Sequence, residues 1–307
     1  MVQELVTSTD GLVRVQSLRG SEHTDDAVPH RHNGGVTRRA RRLLVIGLLT
    51  LLVVTAGGVT AGVAWWRWDT ARQPTIIEAV TGMDRAVTDV VVAAGPDAAV
   101  AVSGVVRSTV CRINAFRRGG VFTANADLYT DPGGEDSLIT AIALRLSTSY
   151  PVHRGPAVAG VRPLQADLTG GVELSVRKLS EGWLSVTART PCSLGAAATP
   201  APASTGDAAA AGITTLFARL GTQAASFSQH RLDCPNGAIV TVAAVSQPVD
   251  SSRLGQRLTA VLPAGARLFA SGESNRVAYR NGPTSVIVAA TDDGTAITTQ
   301  YTTSCGQ

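Results

Sequence analysis

The chain has 307 residues, a formal charge of +4 and 44% apolar residues, enough for a membrane segment and more than one folded unit. Its charge distribution excludes nucleic acid as a partner. Residues 1–42 hold seven Arg against five acidic residues, and the remainder holds 20 basic against 18 acidic residues, with no basic stripe interleaved with aromatics.

Residues 1–42 are polar, without a sustained apolar period, and read as a disordered cytoplasmic tail. His30 and His32 lie there, but two ligands in such a tail do not make a metal site. Residues 43–66, from Leu43 to Trp66, are an uncharged run of 24 residues. As a helix it would be roughly 36 Å long at about 1.5 Å per residue, against a hydrocarbon core of about 30 Å, so a single transmembrane helix is expected. Arg38, Arg39, Arg41 and Arg42 precede it, and Trp65, Trp66 and Trp68 close it. The positive-inside bias puts the N-terminus in the cytoplasm and the C-terminal bulk outside the cell membrane, with the tryptophans at the outer interface. A cleaved signal peptide would want a shorter leader and a shorter apolar core. Gly58 and Gly62 form a small-xxx-small pair through which two such helices could dimerise.

Beyond the membrane segment the pattern repeats. Residues 75–93 have helical spacing, with Ile77, Val80, Met83, Ala86 and Val87 near one face, and residues 208–228 give a second such stretch through Ile213, Leu216, Leu220 and Ala224. Each leads to a strand bearing a cysteine, Cys111 or Cys234. An amphipathic helix follows in each half, with Leu138, Ile142 and Leu146 in the first and Leu254, Leu258 and Leu262 in the second. Asp136 and Asp250 stand near their starts. Extended stretches and a tight turn come next, at Glu181-Gly182 and at Asp293-Gly294, and a last strand runs to Cys192 or Cys305. The turn glycine lies 10 residues before the cysteine in one half and 11 in the other. That odd difference would reverse the strand face unless a bulge or Pro191 absorbs it.

The expected fold class is therefore α+β: one N-terminal transmembrane helix, then two similar modules, each an antiparallel sheet packed with helices and stapled by one disulfide. The modules span 70–195 and 208–307, joined by an Ala/Pro linker over 196–207. Four cysteines allow three pairings, and duplication selects Cys111–Cys192 and Cys234–Cys305. An exterior location is one where such bonds persist. Near-exclusive use of Arg, with Lys178 the single lysine, suggests GC-rich, actinobacterium-like bacterial coding.

No catalytic set assembles in the sequence. Ser175-Val-Arg-Lys178 matches S-x-x-K, but the K-T-G element that chemistry also needs cannot exist with one lysine. No CxxC, H-E-x-x-H, G-x-S-x-G or P-loop occurs, so no cofactor, metal or catalytic residue is assigned. The acidic stretch 127–136 contains Asp127, Asp131, Glu135 and Asp136, which read as a Pro-Gly-Gly turn and an acidic helix start more readily than as a calcium loop. Arg112, Arg117 and Arg118 form a basic edge near Cys111, and Trp183, which follows a turn glycine, reads as packing under its hairpin more readily than as a contact residue.

The expectation is a non-catalytic, single-pass, membrane-anchored binding or envelope-assembly protein whose partners are the lipid bilayer and an envelope protein or glycan. In plan the layout is similar to single-pass assembly factors of secretion or conjugation channels, although no residue motif carries that likeness. Two alternatives stand beside it: an envelope enzyme using His153, His230 and the acidic loop, or a sensor signalling through the cytoplasmic tail.

Overall fold

A computed structural model describes residues 75–114, 117–196, 207–269 and 271–305, together with Val45, Ile46, Leu48, Leu49, Thr60, Val63 and Arg67. The expected tail, the four arginines, the three tryptophans Trp65, Trp66 and Trp68, the Gly58/Gly62 pair and most of the 43–66 run lie outside the described residues, as does most of the linker. Among the described residues no helix is long and apolar enough to cross a membrane. The described members of the 43–66 run are helical and exposed.

Residues 67–307 form one compact unit containing two modules of the same connectivity. The first is α1 (Ile76–Ala94), β1 (Ala99–Arg112), β2 (Arg118–Tyr129), α2 (Glu135–Leu146), β3 (Val152–Arg154), β4 (Leu164–Asp167), β5 (Glu173–Ser180) and β6 (Trp183–Arg189). The second is α3 (Ala208–Arg219), β7 (Ala224–Cys234), β8 (Gly237–Ser246), α4 (Leu254–Thr259), β9 (Arg267–Phe269), β10 (Arg276–Asn281), β11 (Thr284–Ala290) and β12 (Ile297–Thr303). Each sheet is antiparallel and six-stranded, in the order β1-β2-β6-β5-β4-β3 and β7-β8-β12-β11-β10-β9. The duplication read from spacing is thus present as identical topology.

The period of two along each strand puts one apolar set against the helices. In the first module Val102, Ala126, Val186 and Val176 back onto Met83, Val87 and Val90 of α1 and Ile139 and Ile142 of α2. In the second, Val242, Val286 and Tyr279 back onto Ile213 and Phe217 of α3 and Leu254 and Leu258 of α4. The buried face of α1 is Ile76, Ala79, Met83, Ala86, Val87 and Val90, while Ile77, expected on it, is 79% exposed.

Three further expectations are corrected. The helix expected over 208–228 stops at Arg219, because Gly221 at φ 74° turns the chain, and Ala224 opens strand β7. The helix over Leu254 and Leu258 ends at Thr259, so Leu262 lies beyond it. Neither Cys192 nor Cys305 lies within a strand, since β6 ends at Arg189 and β12 at Thr303. The one-residue spacing difference therefore imposes no face reversal.

The disulfides are Cys111–Cys192 and Cys234–Cys305. Each spans the middle strand of a β1-β2-β6 type trio, tying the edge strand to the segment after the last strand. The two ends of the first module also meet. Thr75 bridges Leu194, and the Ile76 amide donates to Leu194 O at 3.0 Å. Gly195, at φ 121°, passes so close to Ile76 that a Cβ there would overlap its side chain.

The tight turns hold the helix starts in both modules. Gly182, at φ 69°, donates its amide to Glu135 Oε1 at 2.6 Å. Gly294, also at φ 69°, accepts from Ser251 Oγ at 2.7 Å. The same junction is thus made twice with different chemistry, a carboxylate in one module and a hydroxyl in the other.

Candidate functional site

The face of each sheet turned away from its helices decides how the modules combine. On the second sheet this face carries Ala278, Ile287 and Phe269, and it packs on Ala99 and Ala101 of β1 and on Tyr129. Leu232 and Ile239 of the β7–β8 hairpin enter the first module's core beside α1. The modules therefore share apolar surface directly.

A polar cluster seals one side of this seam. Trp183 stacks on Tyr129 with ring centroids 5.8 Å apart, and the Arg276 guanidinium lies 4.2 Å from the Trp183 ring centroid. Trp183 Nε1 donates to Asp127 Oδ1 at 3.0 Å, and Arg276 Nη1 donates to Tyr129 Oη at 3.1 Å. Burial pushes the Asp127 pKa up, against the Trp183 hydrogen bond and Arg276, which pull it down. Burial likewise opposes the Arg276 charge, but Tyr129, Asp127 and Glu273 outweigh it and hold the guanidinium above its ordinary value. Trp183 thus joins the two modules, where a packing role under its own hairpin was expected.

The rest of the first sheet's outer face is open and polar. One row crosses all six strands: His153 opposite Gln165, then Ser175, Thr187, Asn125 and Ser103. His153 Nε2 and Gln165 Oε1 are 3.1 Å apart. A depression of about 490 Å³ lies over this face and is flanked by Asp167, Glu173, Arg177 and Arg189. No Phe, Tyr or Trp lines it. Its donors and acceptors suit a polar partner, and the rigid sheet fixes their spacing.

The residues singled out in the sequence do not converge. His153 is on edge strand β3, whereas His230 packs against Gly104 of β1, the opposite edge of the same sheet. Five strand spacings of about 4.8 Å separate those edges, roughly 24 Å, far beyond hydrogen-bond reach. The acidic loop is divided among separate cations as well. Asp131 pairs with Arg267 at 2.7 Å, Glu135 with Lys178 at 3.2 Å and Asp136 with Arg154 at 2.6 Å. Among the described residues no group of three or more His, Cys, Asp or Glu is placed to hold a metal. Ser175 and Lys178 lie on strand β5, with Lys178 turned to Glu135. Arg112 and Arg118 close the exposed end of the β1–β2 hairpin.

Two half-buried ionisable groups lie where α1 meets β7. Burial and the nearby Asp233 raise the Asp84 pKa from 3.8 to about 6, and burial lowers that of His230, whose Nε2 has no partner among the described residues. A carboxyl whose folded pKa is raised opposes folding at high pH, and that penalty disappears as pH falls through about 6 towards 3.8. Asp84→Asn is therefore expected to stabilise the protein at pH 7.5 by about 1–2 kcal/mol after allowance for partial solvent screening. Thermal melts should show the gain at pH 7.5 and its disappearance near pH 4. An equal gain at both pH values would refute the assignment.

No protein-family model matches the chain. No curated protein is similar to it in sequence. Among solved structures, a chain of the Pseudomonas aeruginosa MucA/MucB complex aligns over 72% of this chain and 93% of its own length, at 14% identity and a TM-score of 0.14. A superposition that poor carries no inference about fold or function.

Proposed function

We propose that the chain is a single-pass, membrane-anchored bacterial protein whose residues 67–307 fold outside the membrane and act as a non-catalytic binding or envelope-assembly module. The observation that carries this reading is the pair of disulfides, one per module, each tying an edge strand to the segment that follows the module's last strand. Bonds of this kind persist in oxidising compartments and are rare in the cytosol. The uncharged run 43–66 with four flanking arginines supplies a route there, and its described residues Val45, Ile46, Leu48 and Leu49 are helical and exposed, as lipid-facing positions are.

The docking surface in this reading is the open row of the first sheet. The second module braces that sheet from the same side, at β1, and His153, Gln165, Ser175 and Thr187 of the row line the open depression. The partner is an envelope protein or glycan offering complementary hydrogen bonds.

A photo-crosslinking residue placed at Ser175 or at Thr148, the latter exposed beyond α2, separates this surface from the rest. In intact cells Ser175 is expected to yield a discrete adduct with an envelope component and Thr148 none. Equal adducts at both positions would count against the face. Cysteines found reduced, together with protection of residues 67–307 from external protease, would count against the location.

A further inference from the structure

A second cavity, of about 260 Å³, lies behind the seam between the C-terminal turn of α1, strand β1 and the outer face of the second sheet. Val91, Val92, Val100 and Pro235 make its wall largely apolar. Its polar lining comes from Asn236, Arg280, Ser285, Thr302 and Ser304. Ser285 is only 4% exposed and lines the cavity with its hydroxyl-bearing side chain. Arg280 donates through Nη1 to Gly95 O at 2.8 Å and Ala98 O at 3.0 Å, and through Nε to Gly282 O at 2.9 Å. Those acceptors are neutral carbonyls. Its Nη2 makes no hydrogen bond to the described residues, and the charges that act on it, Asp97 and Arg267, do so with opposite sign.

A half-buried guanidinium without a carboxylate partner, beside a serine hydroxyl and an apolar hollow, fits an anion with an aliphatic body. Size narrows the choice. A cavity of about 150 Å³ holds the six carbons of benzene, so this one takes about ten non-hydrogen atoms.

We propose that this cavity binds a medium-chain aliphatic monocarboxylate, with the carboxylate on Arg280 and Ser285 and the chain against Val91, Val92, Val100 and Pro235. Burial depresses the charge of Arg280, and a bound carboxylate restores it. The ligand touches both modules and would therefore bind only when they are packed together. This site is separate from the open polar row, so its failure and the failure of that docking face are read by different experiments.

The test is titration of carboxyl-labelled octanoate into the full chain in nonionic detergent, followed by carbon NMR against a detergent blank. Saturable one-to-one binding is expected, with octanol at least about tenfold weaker, since a hydrogen bond to a charged group contributes that much. Ser285→Leu, which fills the hollow, and Arg280→Gln should each weaken octanoate at least about tenfold. Because Arg280 also ties the Gly95 and Ala98 carbonyls, Ser285→Leu decides the matter if the Arg280 variant does not fold. Absence of saturation above the blank, equal affinity for octanol, or unchanged affinity in a folded Ser285→Leu variant would each overturn the proposal.

Discussion

Replacing Cys111 and Cys192 together by alanine is expected to destabilise residues 67–307 by about 4 kcal/mol, the largest effect of any substitution considered. The bond closes a loop of 81 residues in sequence separation, and loop-closure entropy grows with the logarithm of that length. Chemical denaturation of the variant against the wild type under non-reducing conditions reads the difference. For a unit of this size the melting temperature should fall by roughly 8–16 °C. The Cys234–Cys305 loop, 71 residues, is nearly as long and should give a similar loss. Because the modules share apolar surface through Ala99, Ala101, Phe269 and Ile287, either loss should appear as one transition over the whole unit. Two separate transitions would show that the seam does not couple the modules.

Lys178→Met is expected to cost about 3 kcal/mol. Glu135 is 2% exposed, and its carboxylate is held by the Gly182 amide at 2.6 Å and by Lys178 at 3.2 Å. Removing one partner of a buried pair leaves the other charge uncompensated, at about 3–5 kcal/mol. The lower end applies here because Lys178 keeps some solvent contact and the Gly182 bond survives. Glu135→Gln with Lys178→Met should recover much of the loss, since two neutral groups carry no such penalty. The pH dependence has a definite sign. Burial alone would raise the Glu135 pKa, but the Gly182 amide, its own amide, Lys178 and the Gly133 amide outweigh burial and lower it. Its stabilisation is therefore complete above the ordinary value of 4.5 and is lost as pH falls through the depressed folded value. Urea titrations of the wild type and Glu135→Gln below pH 5 test this. A variant with the same acid slope as the wild type would remove Glu135 from the account.

Much of the architecture could be read from the chain because local rules and global fold agree there. The 3.6-residue spacing of Met83, Val87 and Val90 marks α1, and Gly182 and Gly294 mark turns that require positive φ. Duplication selected the disulfide partners because both modules place cysteines at corresponding strand ends. Where expectation failed, a competing local signal was the cause. Alanines over 208–211 suggested a helix that ran on through Ala224, whereas Gly221 ends it and residues 224–234 pair along β8. The seam had no local signature. Asp127, Tyr129, Trp183 and Arg276 come from three distant segments, and each looks ordinary in its own strand. The Arg280–Ser285 cavity was equally hidden, because it needs β10 and β11 of one module to face α1 of the other. The polar row of the first sheet is visible only once the register places His153, Gln165, Ser175 and Thr187 in line.

The bridge between Thr75 and Leu194 has a mechanical consequence. A pull applied upstream of α1 and resisted at the second module passes straight across this junction, because the two ends of the first module sit side by side. Tension along the backbone bypasses the intervening hundred-odd residues there until the Ile76–Leu194 hydrogen bond shears, and the seam with the second module shares the load. The first module hangs from the load path as a side loop, so it can keep its shape while the polypeptide on either side is under force.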